Sequence, residues 1–327
     1  MNLVPLDAES VRIGHPLPFS LRSEDGTLLA QKGFVVLSRE YLNAMIGRGT
    51  NLYIDVTESE SHHRAYMGKL HNLIREDKPL GKIAETHLSS GDLSTNRNEG
   101  GDGTPDWLDL QVQANALLRD HNPAQFLPRL EKVQAQLNRH SNRNPDGTLF
   151  ALIHLSASEL RLYSATHAML VSVMCGLAAR EVLNWSPEIE SAVCKAALTM
   201  NIGMTELQDR LAQQLEPPTA AQRKRIDEHA TLSVNMLQEM GVTDPDWLDA
   251  VRHHHANVPG RLANRTQGHR YARLIQRADM FAARLAPRAA RVPTSPAAAM
   301  QAIYFDEERQ IDEAGAALIK AVGVYQP

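Results

Sequence analysis

From Pro105 onward this 327-residue chain repeats apolar residues at helical spacing, with no alternating strand pattern between them, and that regularity restricts its fold more than any other feature. Residues 106–120 set Leu108, Val112 and Leu117 in one helical segment. Asn122-Pro123 then supplies a cap and a proline at the first helical position, opening a helix to about Arg139. Further helical patterns run over 147–157, 158–183, 187–200, 219–241, 245–256, 269–286 and 308–322, with no internal repeat. Helices at this density have mainly one another to bury their apolar faces against, so residues 106–327 are expected to form an all-α domain.

The first 60 residues read differently. Pro16–Leu21 alternates as a strand, Glu24-Asp25-Gly26 is a turn signal, and Thr27-Leu28-Leu29 begins the return strand. Ser38 caps a short helix carrying Tyr41, Leu42, Met45 and Ile46, which Gly47 stops before a further strand over 51–56. These signals predict a small α/β unit. Between the two parts, residues 61–105 hold a helical stretch around Arg64–Arg75 and then the run Ser89–Thr104. That run has almost no apolar side chains to offset the entropy of ordering, so a flexible linker is expected.

Composition narrows the function classes. A net charge of −4 implies no general attraction to nucleic acid, and 5% aromatic residues are too few for a base-stacking platform. No apolar stretch reaches the ~20 residues of a membrane span, and the N-terminus lacks a signal peptide's apolar core. Cys175 and Cys194 fall in apolar helical patterns and read as buried free thiols of a reducing compartment, which predicts a cytoplasmic protein.

Five polar residues interrupt apolar helix faces. His167 lies on the stripe of Tyr163, Leu170, Val171 and Met174, and His229 shares a face with Ile226, Met236 and Leu237. His254 and His255 continue the stripe of Trp247, Leu248 and Val251, with His253 at its edge. Asp279 follows Leu274, Ile275 and Ala278. Burying such a group without a partner costs ~1–3 kcal/mol, so the faces predict a shared polar pocket. Any one of these histidines alone reads as a hydrogen-bonded core residue.

In their order and spacing, and with the segment Ala272–Arg288, the five resemble an HD-GYP domain. This is the branch of the HD phosphohydrolase superfamily that hydrolyses cyclic di-GMP. The resemblance covers about 145–327, and Val11–Gly14 through Lys32-Gly33 resembles the small domain ahead of many bacterial HD-GYP and PilZ-type modules. It implies a mainly α protein: an all-α HD-GYP-like helical domain preceded by a small α/β domain.

The departures concern the chemistry. Where the family has its His-Asp pair the chain has Met200-Asn201, and its lysine is Met204. The glutamate after the paired histidines is Ala256, and the Gly-Tyr-Pro loop reads Val258-Pro259-Gly260. The position one turn before His167, an extra carboxylate in trinuclear members, is Tyr163. A bridging carboxylate holds two metals ~3.5–4 Å apart. Asn201 is neutral, and Met200 offers a soft thioether to metals that prefer imidazole or carboxylate. The resemblance therefore implies a catalytically degenerate regulatory protein in cyclic di-GMP-linked bacterial signalling. Cyclic di-GMP or another signalling protein is the partner it points to, and homodimerisation stays open. Two cofactor states remain: none, or a single divalent metal held by His229, His254 and His255. The alternative is a phosphohydrolase with an altered mononuclear site. Arg284, Arg288 and Arg291 read as a solvated basic helix end, with phosphate or carboxylate binding as the alternative. Similar proteins continue past an ending like Val322–Pro327 into a β-rich segment, so more chain is expected there.

Overall fold

The computed structural model describes residues 3–6, 11, 13, 17, 19–31, 34–46, 51–55, 107–158, 160–258, 260–291 and 293–323. The sequence signals at 64–75 and 89–104 lie outside these. The chain divides into two compact units, 1–108 and 109–327.

In the first unit, β1 (Leu3–Leu6), β2 (Leu21–Arg22), β3 (Leu28–Ala30) and β4 (Leu52–Asp55) form an antiparallel sheet in the order β1-β4-β2-β3, with α1 (Arg39–Ile46) between β3 and β4. Leu3 pairs with Asp55, Leu6 with Leu52, and Leu21 with Ile54. Leu6, Leu21, Leu42, Leu52 and Ile54 are buried together with Phe19 and Val36. Gly26 has φ 87°, the left-handed value that a turn there requires. The strand expected over Pro16–Leu21 begins only at Leu21. Residues 16 and 18 of that stretch lie outside the described residues.

In the second unit the helices are α2 (Trp107–Arg119), α3 (Pro123–Arg143), α4 (Pro145–Ser158), α5 (Tyr163–Leu177), α6 (Pro187–Thr199), α7 (Thr205–Gln213), α8 (Ala220–Glu239), α9 (Pro245–His253), α10 (Gln267–Leu285), α11 (Pro296–Tyr304) and α12 (Glu313–Val322). Every residue of α5 is buried, and it packs against α3, α4, α6, α7, α10 and α12. A helix apolar on all sides must lie in the middle of its domain. Its buried Cys175 and Cys194 of α6 are free thiols, and burial pushes Cys194 up to about 12.

Several helix limits differ from the periodicity. The pattern over 158–183 is a helix only from Tyr163, because no side chain of Leu162 caps the start. Asp209 of α7 does so, accepting from the Ser164 amide at 2.6 Å while held by Arg119. The same pattern ends in a π-helical turn, Ala178–Val182. Residues 308–312 are not helical, since Asp312 is the cap of α12, accepting from Gly315 N at 2.7 Å. Helix α9 stops at His253, so His254 and His255 lie beyond it and not on its stripe. α7 and α11 were missed. The first is dominated by polar residues, and the second is flanked by Pro293 and Pro296, whose turn signal hides the Ser295 cap.

An ion network ties α10 to α12. Asp312 Oδ2 accepts from Arg273 Nε at 2.7 Å and Arg277 Nη2 at 3.1 Å. Glu307 faces both arginines from the solvent side, at 3.1 and 3.5 Å. Among the described residues, no helix is long and apolar enough to cross a membrane.

Candidate functional site

Three histidines from two neighbouring elements meet beside α10. Helix α8 starts with a capping box between Thr219 and Gln222 and buries His229 near its middle. Helix α9 starts at Asp244, which accepts from the amides of Asp246 and Trp247, with Pro245 at the first position. Trp247 Nε1 donates to Thr199 Oγ1 at 3.0 Å, anchoring α9 to the end of α6 one residue before Met200. His254 and His255 then follow the last turn of α9.

His229 and His254 are oriented alike. Nδ1 of His229 faces the Ile226 carbonyl, and Nδ1 of His254 faces the Val251 carbonyl at 2.7 Å. A ring that donates through Nδ1 to a carbonyl carries its lone pair on Nε2. The two Nε2 atoms lie 3.1 Å apart, so two lone pairs face each other unless a cation stands with them. A proton is a poor candidate. Burial, and then the neighbouring rings of His255 and His229, push His254 down to about 3. Burial also lowers His229, with the Ile226 carbonyl opposing and His255 adding repulsion. The His255 ring completes the set at 5.0 Å from His229 and 4.1 Å from His254, centroid to centroid. One ligand atom from each histidine lies within 4.8 Å of the others. His255 is exposed, so the cluster opens to solvent on its side. Nitrogens at ~2.0–2.1 Å from one zinc ion lie ~3.0–3.4 Å apart, and the donor set fits a single borderline cation.

The other two residues occupy each other. His167 Nε2 lies 2.7 Å from Asp279 Oδ1, and its Nδ1 lies 3.3 Å from Tyr163 Oη. Arg288 donates to the same Oη at 3.1 Å, its guanidinium 5.2 Å from the centre of the Tyr163 ring. Burial opposes the Asp279 charge most strongly, but the hydrogen bond from His167 and the nearby imidazoles of His167, His255 and His254 outweigh it. Its carboxyl is held well below the usual range. Burial raises the Tyr163 phenol, against the pull of Arg288, so it stays a donor. The links of Tyr163 and Arg288 to this pair escaped the sequence reading, although Tyr163 stands one turn from His167.

Met200 is buried, and Asn201 begins the 3-10 turn Ile202–Met204. Gly203 lets that turn dock on α8: a Cβ there would lie 2.8 Å from Ser233 N and 2.9 Å from His229 O. Its amide donates to Ser233 Oγ at 2.9 Å. Asn201 Oδ1 is sealed from solvent and accepts no hydrogen bond. The backbone oxygen of Ala256 faces Gln276 Nε2 at 3.5 Å, and the carbonyls of Val258 and Gly260 accept from Arg265. The three basic residues Arg284, at the end of α10, and Arg288 and Arg291, beyond it, are not a free cluster. Arg284 and Arg291 donate to the Met280 and Ala283 carbonyls, and Arg288 to Tyr163. His253 turns away from the histidine cluster toward Asp249.

The fold is HD-GYP-like. A solved structure described as Bd1817, a HDG"Y"P protein from Bdellovibrio bacteriovorus, matches with a TM-score of 0.50 and 12% identity, over 99% of this chain and 99% of that one. At that identity the likeness concerns the fold. No protein-family model and no curated protein matches the sequence.

Proposed function

We propose that the chain is a catalytically silent regulatory protein on an HD-GYP-like fold, binding a nucleotide or a signalling partner in a bacterial pathway linked to cyclic di-GMP. The observation that carries this reading is Arg288, a permanent cation 3.1 Å from a phenol that is itself 3.3 Å from His167. Two-metal phosphodiester hydrolysis needs carboxylates to offset the repulsion between two dications. Here Asn201 brings no charge, and Asp279 is already committed to His167. Met204 in place of a lysine leaves phosphate charge uncompensated on that side.

His229, His254 and His255 are the residues that would hold one divalent cation. When bound, such an ion polarises a phosphoryl oxygen, which serves recognition of a nucleotide. The exposure of His255 favours a second reading, a mononuclear phosphohydrolase, because it leaves the cluster open on its solvent side. The experiment is incubation of metal-replete protein with cyclic di-GMP, following both binding and product. The expected outcome is an intact nucleotide. Turnover above ~1 s⁻¹, abolished by His255→Ala, would establish the second reading instead.

A further inference from the structure

A second group of ligand-type side chains lies apart from the histidine cluster. Asp249 and His253 stand one turn apart on α9, and His269 stands in the first turn of α10. His253 Nε2 is 3.3 Å from Asp249 Oδ1, and His269 Nε2 is 3.7 Å from Asp249 Oδ2. The two rings meet edge-on, 4.9 Å between centres and 75° between planes. One ligand atom from each residue lies within 4.8 Å of the other two. We propose that Asp249, His253 and His269 form a surface site for a divalent cation of the zinc class, clamping the end of α9 to the start of α10.

The distances favour a shared cation over two ion pairs. An N–H···O bond spans ~2.7–3.2 Å, and both contacts are longer. They lie closer to the ~3.3–3.6 Å edges between ligands placed ~2.0–2.2 Å from one ion. A dication shared by the three residues would face both oxygens of Asp249. Two imidazoles with one carboxylate suit zinc and its borderline neighbours better than magnesium or calcium, which prefer oxygen alone. All three side chains are about one-third exposed, so an outward position remains for water.

The backbone is shaped to permit this meeting. A Cβ on Gly268 would lie 2.6 Å from Asp249 Oδ2 and 2.7 Å from Asp249 Cβ. A side chain at 268 would thus displace Asp249 from His269. The Gly268 amide donates to Asp246 Oδ1 at 3.0 Å, fixing the start of α10 against α9. His253 directly precedes His254, so an ion here would steady the buried histidines relative to the helix that carries Asp279.

The test uses the full chain, stripped with a chelator and titrated with zinc, with bound equivalents read by equilibrium dialysis and elemental analysis. His269→Ala and Asp249→Ala should each weaken one equivalent by at least ~10-fold, while His255→Ala leaves that equivalent in place. His269→Gln keeps a polar side chain of similar bulk and should show the same loss, and circular dichroism confirms that each variant is folded. Parental zinc stoichiometry and affinity in folded His269→Gln and Asp249→Ala would overturn the site. Loss confined to His255→Ala would do the same while leaving the buried cluster standing. The converse pattern would keep this site and remove the metal from the buried cluster.

Discussion

Arg273 and Arg277 share α10 with Asp279, yet the polar groups at the two positions are finished to very different degrees. The arginines are 3% and 2% exposed, and their charges meet Asp312 and Glu307, with Asp312 also closing the N-terminus of α12. Near Asp279, two imidazole lone pairs face each other across 3.1 Å, and a third ring stands open to solvent. A buried network in which opposite charges meet one another serves to hold helices together. One whose acceptors point at one another is complete only with something from outside. The difference separates a structural centre from a ligand centre on a single helix.

The sharpest way to break this comparison is Asp312→Ala. It leaves two buried guanidinium groups without their main counter-charge and removes a helix cap, so a loss of about 3–5 kcal/mol is expected in urea denaturation. A loss below about 1 kcal/mol would rank the network with ordinary surface pairs.

Acid should act on the other centre. The folded pKa of His254 is about 3, below the unfolded value of 6.5, so in that window the unfolded state binds more protons. Stability is complete above pH 6.5 and declines as pH falls toward 3, by about 1.4 kcal/mol per unit. Metal-free protein should therefore lose about 2 kcal/mol between pH 6.5 and 5, with His229 adding in the same direction. Asp279, whose pKa is lowered from 3.8, adds its loss only below that range. His254→Gln should flatten the slope; an unchanged slope would remove the histidines as its cause.

The smallest effect is expected from Tyr163→Phe, which cuts the link between Arg288 and His167. A loss of about 0.5–1.5 kcal/mol should appear in thermal melts, leaving zinc binding at the histidine cluster unchanged. Altered zinc binding would mean that the two halves of the polar cluster are not separable.

Most helices of the second unit were legible because their apolar stripes are long and many begin with a recognisable cap, α7 and α11 excepted. His167, His229 and Asp279 were visible as polar interruptions of those stripes. His254 and His255 were found for a partly wrong reason, since α9 ends before them and a turn, not a stripe, aims them. Which nitrogen faces which carbonyl depends on tertiary approach and leaves no periodic trace. The Asp312 network was missed because its partners are 35 and 39 residues apart, although two arginines at i,i+4 among Leu274, Ile275 and Ala278 were a readable anomaly.

The complete enclosure of α5 bears on how the protein comes apart. Its fifteen residues have no face that could remain covered while a neighbour peels away, because six other helices each supply part of the wall. Its amides can therefore reach solvent only when the whole domain opens, so their hydrogen exchange measures the global free energy and not a local one. His167 rides on that helix. The pairing it makes with Asp279 is thus among the last native contacts to be lost, and the vestige of the site outlasts the loops around it.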